Sequence, residues 1–134
     1  MKILVDTSVW SLALRRQQQS DVTDKLTSLI LSSQVVLIGP VRQELLSGIS
    51  SEKAFDNLKS SLSNFDDLPI TKSDYETAAQ FFNLCRSRGV QGSHIDFLIC
   101  AVAVNNNLLI FTTDKDFDYY AQHLPIRLFI KQSC

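Results

Sequence analysis

Two carboxylates stand where buried strands are predicted to end. The apolar run 3–5 ends in Asp6, and the apolar run 108–111 is followed by two threonines and Asp114. Runs of this length and composition are typical of strands that are buried on both faces of a parallel sheet. Parallel strands present their carboxyl ends at one edge of the sheet, where ligands bind in open α/β folds. We therefore expect Asp6 and Asp114 to lie close together.

Three further acids are candidates for the same site. Asp96 lies in the first predicted turn of an otherwise apolar helix, Glu44 borders the apolar face of another helix, and Asp116 follows Asp114 by two residues. Carboxylates that converge without a Lys or Arg among them repel one another, so they require raised pKa values or bound cations. An all-oxygen ligand set favours Mg²⁺ or Mn²⁺, as one or two ions, over zinc. Such ions activate water and stabilise the charge that builds on a phosphate under attack.

Each of these acids also has an ordinary structural explanation. Asp6 and Asp114 would serve as helix caps, Asp96 and Asp116 would lie in helix first turns, and Glu44 would be a solvated helix residue. The joint placement of the acids at strand ends and helix starts favours a common site.

Several polar neighbours are candidates for supporting roles. Hydroxyls that would orient the carboxylates or bind phosphate belong to Thr7, Ser8, Thr112 and Thr113. Capping and local turn bonding explain these hydroxyls equally well. His94 would contact phosphate or act as a hydrogen-bonding group at a helix start.

The elements that would position these residues alternate between strands and helices. Strands are predicted over 3–5, 35–38, 108–111 and 125–130, with at most a short edge strand within 65–70. Helices are predicted over 7–16, from a cap at 21 or 23 to the serines at 32 and 33, from 40 to about 48, and over 51–63. Further helices are predicted from Thr71 or Ser73 to about 88 and from 94 to about 105, with a short one from 115. The alternation favours an α/β fold with a parallel sheet and helices on both faces.

Length and composition are those of one soluble domain spanning residues 1–134. The chain is 45% hydrophobic and 20% charged, and its longest apolar run is too short to span a bilayer. The N-terminal residues do not form a secretory signal, which predicts a cytoplasmic protein with no membrane partner. Three cysteines without a CxxC pair (Cys85, Cys100 and Cys134) favour neither a disulfide framework nor a zinc site.

The net charge of −1 becomes informative when the candidate acids are set aside. If five of the 14 acidic residues share one metal-binding pocket, the 13 basic residues outnumber the acids that remain. A mildly basic shell around an acidic pocket would tolerate a polyanion. Scattered cations could flank an RNA path or form an ordinary solvated surface: Arg15, Arg16, Arg42, Arg86, Arg88 and Lys115.

Four sequence blocks, taken together, resemble the PIN-domain ribonucleases, specifically the VapC toxins of toxin–antitoxin pairs. The blocks are Ile-Leu-Val-Asp6-Thr-Ser-Val-Trp, Pro40-Val-Arg-Gln-Glu44-Leu-Leu-Ser-Gly48, Asp96-Phe-Leu-Ile-Cys-Ala-Val-Ala103 and Phe111-Thr-Thr-Asp114-Lys-Asp116-Phe117. They follow the family order and span most of the chain. The resemblance implies a three-layer sandwich with a central parallel sheet of about four to five strands flanked by helices. Cys100 stands where the family commonly has alanine.

The resemblance also implies an activity and a site. Asp6, Glu44, Asp96 and Asp114 match the acidic quartet of the family, and Asp116 matches a fifth acid of some members. The implied activity is Mg²⁺- or Mn²⁺-dependent endoribonuclease cleavage, commonly of tRNA or another structured RNA. In role terms, Asp6 and Asp96 would hold the principal metal, and Asp114, with or without Asp116, would bind it through water or hold a second metal. Glu44 would position or deprotonate the attacking water.

The same resemblance implies partners. A homodimer held by helices of the N-terminal half is expected, together with a small VapB-like antitoxin whose C-terminal segment enters the acidic pocket, often with an arginine. Promoter DNA would be bound only indirectly, through the antitoxin. Three alternatives remain open: a PIN nuclease of RNA processing that is not a toxin, a catalytically silent PIN binding module, and a phosphatase of the aspartyl-phosphate type. The phosphatase would require an acid at position 8, which is serine.

Overall fold

The computed structural model describes residues 2–15 and 19–129. Strand β1 (Ile3–Val5) lies at the centre of a three-stranded parallel sheet, between β2 (Val35–Val36) and β3 (Leu109–Phe111). Ile3 pairs with Val35 on one side and with Leu109 on the other. All residues of β1 and β3 are buried, which explains why the sequence of each strand is apolar throughout rather than alternating.

Single parallel bridges extend the sheet at both edges. Leu37 pairs with Asp67 beyond β2, and Ile110 pairs with Leu128 beyond β3. The predicted parallel sheet of four to five strands is thus present as three strands and two bridges. The segment predicted as the strand 125–130 contributes one bridge rather than a full strand, and Ile130 lies outside the described residues. Pro125 has no N–H to donate to a ladder, which weakens pairing at the start of this segment.

Helices flank the sheet, which confirms the predicted α/β class. Their bounds are α1 (Thr7–Trp10), which continues into a π-helical turn (Ser11–Arg15), α2 (Asp21–Leu31), α3 (Gly39–Leu46), α4 (Glu52–Leu62), α5 (Lys72–Ser87), α6 (His94–Asn105) and α7 (Asp116–Ala121). The single helix predicted over 7–16 is therefore divided, and Arg16 lies outside the described residues.

Two helix boundaries differ from the predicted ones for local reasons. The cap of α2 is Ser20, not Asp21 or Thr23, because the Ser20 hydroxyl accepts the Thr23 N–H while the Ser20 N–H binds the Thr23 hydroxyl. This reciprocal pair is a capping box, which satisfies two N–H groups at once. Helix α3 ends at Leu46, and Gly48 follows with a φ of 84°, a conformation that glycine adopts at low cost.

Helix α6 is the central helix of the core. Its residues from Phe97 to Ala103 are all buried, as the predicted apolar pattern on every side requires. Helix α5 packs against α6, and Asp74 of α5 is buried between them. The Asp74 carboxylate accepts hydrogen bonds from the Thr71 N–H at 2.9 Å and from the Asn105 amide at 2.8 Å, which joins the start of α5 to the end of α6.

Cys85 and Cys100 are buried free thiols in the core, as their apolar surroundings predict, and Cys134 lies outside the described residues. Within the described ranges, every helix is too short or too polar to cross a bilayer.

Candidate active site

Asp6 lies directly after β1 and caps α1. Its Oδ2 atom accepts the Ser8 hydroxyl and the Thr112 hydroxyl, each at 2.8 Å, and the Ser8 N–H at 3.4 Å. Asp6 is 5% exposed, and burial raises the pKa of its carboxyl although these hydrogen bonds act in the opposite direction. Asp6 is therefore both the N-cap of α1 and one of the candidate carboxylates of the site.

The segment after β3 is joined to Asp6 through hydroxyl groups. Thr112 accepts the Asp114 N–H at 3.0 Å while it donates to Asp6, and Ser8 accepts the Thr113 N–H at 3.0 Å. Both strand ends therefore meet at one edge of the sheet, as their parallel pairing predicts. The hydroxyls of Ser8 and Thr112 both bind the Asp6 carboxylate, and the Ser8 contact is also a local hydrogen bond within the cap of α1.

Asp96, Asp114 and Asp116 converge. One carboxylate oxygen of each residue lies within 4.8 Å of the others. Asp96 is half-buried in the first turn of α6, and Asp116 begins α7, where its N–H donates to Asp114 Oδ1 at 2.9 Å. Burial is the main cause that raises the pKa of the Asp96 carboxyl, and the charges of Asp6 and Asp114 act in the same direction. The hydrogen bonds with Tyr120 and Ser93 act in the opposite direction. Asp6 thus acts electrostatically on the same group of acids.

This donor set fits a hard divalent cation. Mg²⁺ is bound by oxygens at about 2.0–2.1 Å, so oxygens on opposite sides of one ion stand about 4 Å apart. A separation within 4.8 Å is close to that span. Among the residues that the structure describes, no lysine or arginine forms an ion pair with Asp6, Asp96, Asp114 or Asp116. A bound cation would offset their mutual repulsion.

Glu44 lies apart from these three carboxylates. It is exposed on α3, and its Oε1 accepts the Thr7 hydroxyl at 2.5 Å. Thr7 follows Asp6 in the chain, so Glu44 contacts the residue next to Asp6 and is itself exposed to solvent. The Glu44 carboxylate is thus exposed to water, whereas the Asp96 carboxylate is half-buried.

The remaining predicted residues have separate surroundings. His94 is exposed and stacks on Phe82, with ring centroids 4.9 Å apart and planes inclined by 12°. The described contact of His94 is therefore with an aromatic ring. Thr113 is also exposed. Arg42 is structural, since it binds Asp67 and the carbonyl oxygens of Leu62 and Phe65.

The structure adds one residue that the sequence did not indicate, Tyr120. Its hydroxyl donates to Asp96 Oδ2 at 2.6 Å, and the residue is fully buried on α7. Burial and the neighbouring Asp96 raise the pKa of Tyr120 above its ordinary value, so the hydroxyl remains a donor. The sequence shows only the apolar spacing of Phe117 and Tyr120 in a short helix, which predicts a core contact and not a contact with an acid.

The stability of the metal-free protein is expected to fall as the pH rises above the ordinary aspartate pKa of 3.8. The folded-state pKa values of Asp6 and Asp96 are raised, so the folded chain holds protons that the unfolded chain has released. The stability gained from these protons is complete below the ordinary value and is lost as the pH rises through the raised values. The measurement is the unfolding midpoint in EDTA against pH.

Asp6→Asn is the matched reference for this measurement, because it removes the Asp6 titration together with the charge that helps to raise the pKa of Asp96. The midpoint of the wild type should fall relative to that of the variant as the pH rises. Parallel curves would contradict the prediction.

Comparisons with known proteins place these observations in a family context. The sequence profile of the PIN domain matches residues 3–122. FitAcB from Neisseria gonorrhoeae is 27% identical, with 95% of this chain and 96% of that chain covered and a TM-score of 0.77. VapBC2 from Rickettsia felis, solved bound to a DNA fragment from its promoter, is 16% identical, with coverage of 96% and 98% and a TM-score of 0.77. VapBC-5 from Mycobacterium tuberculosis, a member of the VapBC family of toxin–antitoxin systems, is 18% identical, with coverage of 96% and 98% and a TM-score of 0.69. Comparison with curated proteins gave no match.

Proposed function

Because this chain belongs to the PIN-domain family, we propose that it is a metal-dependent endoribonuclease toxin of the VapC type that hydrolyses RNA phosphodiester bonds. The observation that carries the proposal is the convergence of Asp96, Asp114 and Asp116 next to Asp6 at the carboxyl edge of the sheet. Each acid of the predicted set is present, which disfavours a catalytically silent binding module. The substrate we propose is tRNA or another structured RNA.

The residues proposed to hold Mg²⁺ or Mn²⁺, as one or two ions, are Asp6, Asp96, Asp114 and Asp116. When bound, the metal would supply an activated water and a counter-charge for the phosphate. In support of this role, Ser8 and Thr112 fix the Asp6 carboxylate through hydrogen bonds of 2.8 Å, and Thr112 also accepts the backbone N–H of Asp114. Preorganised ligands of this kind cost little reorganisation at the moment of reaction.

Glu44 is proposed to position the attacking water or to take its proton. Its exposure leaves the carboxylate accessible to water and RNA, and it accepts a hydrogen bond from Thr7, the residue after Asp6. A general base must lie within hydrogen-bonding reach of the water that it activates, and an exposed position suits that task. Thr113 and His94 are both exposed and remain our candidates for phosphate contact.

We also propose a small VapB-like antitoxin as the partner of this chain, in a cytoplasmic complex that includes a homodimer. The similarity to FitAcB and to the VapBC structures supports this proposal, and the acidic site would attract an arginine of the antitoxin. Such an arginine would compete with metal and with substrate for the carboxylates. Binding of promoter DNA would occur through the antitoxin, in line with the DNA fragment bound by VapBC2.

The test is incubation of the purified chain with a total tRNA pool in Mg²⁺, in Mn²⁺ and in EDTA. Discrete cuts that require the metal, and that disappear when a small antitoxin encoded beside the gene is added, would support the toxin. Metal-dependent cuts without such a neighbouring gene would favour a PIN nuclease of RNA processing. A folded protein that binds Mn²⁺ but cuts neither tRNA nor total RNA would contradict the proposal and favour a binding module.

A further inference from the structure

We propose that Tyr120 is a positioning residue that sets the distance between Asp96 and the Asp114–Asp116 pair and thereby tunes metal affinity. This inference rests on the proposed function, because it concerns the same carboxylates. The direct observation is the hydrogen bond of 2.6 Å from the Tyr120 hydroxyl to Asp96 Oδ2. The tyrosine is 0% exposed, so its only route to a polar partner is through the interior.

The ring of Tyr120 is held from two sides. Its centroid lies 4.9 Å from that of Phe97 on α6 and 5.1 Å from that of Phe117 on α7. Asp96 precedes Phe97 on α6, and Asp116 precedes Phe117 on α7. One side chain therefore contacts both helices next to the acids that they carry. A packed ring of this kind transmits the position of α7 to the carboxylate on α6.

Gly92 leaves the space that the Tyr120 side chain occupies. A Cβ atom at position 92 would collide with the Tyr120 hydroxyl and stand 2.7 Å from its ring carbon Cζ. The absence of a side chain at this residue thus permits the approach of the hydroxyl to Asp96. Ser93, the next residue, accepts the Asp96 N–H at 3.1 Å, so the loop before α6 and the tyrosine together fix one acid.

The chemistry of the donor matters. A lysine or arginine in this place would stabilise the Asp96 carboxylate but would compete with a divalent cation for its charge. A neutral hydroxyl orients the carboxylate through Oδ2 without adding a positive charge. Partners of metal ligands in the surrounding shell usually change metal affinity about 10- to 100-fold when they are removed.

The test compares Tyr120→Phe with Tyr119→Phe in the full chain. Tyr119 is the next residue of the same helix and is 56% exposed, which makes it a matched control. The dissociation constant for Mn²⁺, measured by electron paramagnetic resonance titration, is expected to rise about tenfold in Tyr120→Phe and to remain unchanged in Tyr119→Phe. The Mn²⁺ concentration at half-maximal RNA cleavage should rise by the same factor, and saturating Mn²⁺ should restore most of kcat.

A second variant, Gly92→Ala, displaces the hydroxyl without removing it and is expected to weaken Mn²⁺ binding in the same direction. If the wild type binds Mn²⁺ and cuts RNA while Tyr120→Phe keeps the same affinity, the inference is overturned and the proposed function stands. The same holds if Tyr120→Phe lowers the unfolding midpoint alone, since that outcome describes a purely structural residue. If the wild type neither binds Mn²⁺ nor cuts RNA, the proposed function and this inference both fail.

Discussion

Asparagine in place of Asp6 is expected to lower RNA cleavage by about 10²- to 10³-fold, the range seen when one preorganised electrostatic group is lost from an active site. Asparagine keeps one oxygen to accept the hydroxyls of Ser8 and Thr112, so the local hydrogen bonds can persist. It removes the negative charge proposed to hold the metal. The measurement is the initial rate of cleavage at saturating Mn²⁺.

The same variant should unfold in EDTA at the same or a higher temperature than the wild type. Asp6 is 5% exposed, and burial is the main cause of its raised pKa, so the ionised carboxylate costs the metal-free fold some stability. Asp56→Asn, on the exposed side of α4, is the control and should change neither quantity. Full activity of Asp6→Asn would refute the proposed role of Asp6. Because asparagine caps helices as well as aspartate does, a large loss of stability would contradict the expected cost of the buried, ionised carboxylate.

Where the sequence predicts structure well, backbone chemistry leaves few options. Two apolar runs buried on both faces must lie inside a covered parallel sheet, and their carboxyl ends must then share one edge. The strand ends that precede Asp6 and Asp114 therefore lie at the same edge of the sheet for topological reasons. Asp96 is placed in a similar way, because the apolar surface of α6 requires a central position and Asp96 lies in the first turn of that helix.

Features set by contacts between distant segments could not be predicted in this way. The hydrogen bond from Tyr120 to Asp96 depends on the packing of α7 against α6 and on the missing side chain at Gly92. Similarly, Arg42 appeared as a surface cation in the sequence, whereas it binds two backbone carbonyls and Asp67. The edge segments near Asp67 and Leu128 pair through single bridges, and apolar patterning gives no measure of how many residues a pairing will include.

Alanine in place of Phe97 is expected to lower the free energy of unfolding by about 3–5 kcal/mol. Phe97 is 1% exposed, and its ring packs against Phe82 at 5.6 Å and against Tyr120 at 4.9 Å between centroids. Truncation removes the burial of an aromatic ring and leaves a cavity that fixed helices can close only in part. Because small domains are stable by about 5–15 kcal/mol, this loss is a large share of the total.

The measurement for Phe97→Ala is chemical denaturation in EDTA, with Leu31→Ala as the control. Leu31 is also a large apolar residue, but it is 82% exposed at the end of α2, so its truncation should change stability by less than about 0.5 kcal/mol. Equal effects of the two variants would contradict the assignment of Phe97 to the core. Asp96 and Phe97 are neighbours on α6 and are expected to change the free energy of unfolding in opposite directions. The buried Phe97 ring stabilises the fold, whereas the ionised Asp96 carboxylate costs it stability. The apolar body of α6 thus offsets the cost of placing a half-buried carboxylate among other acids.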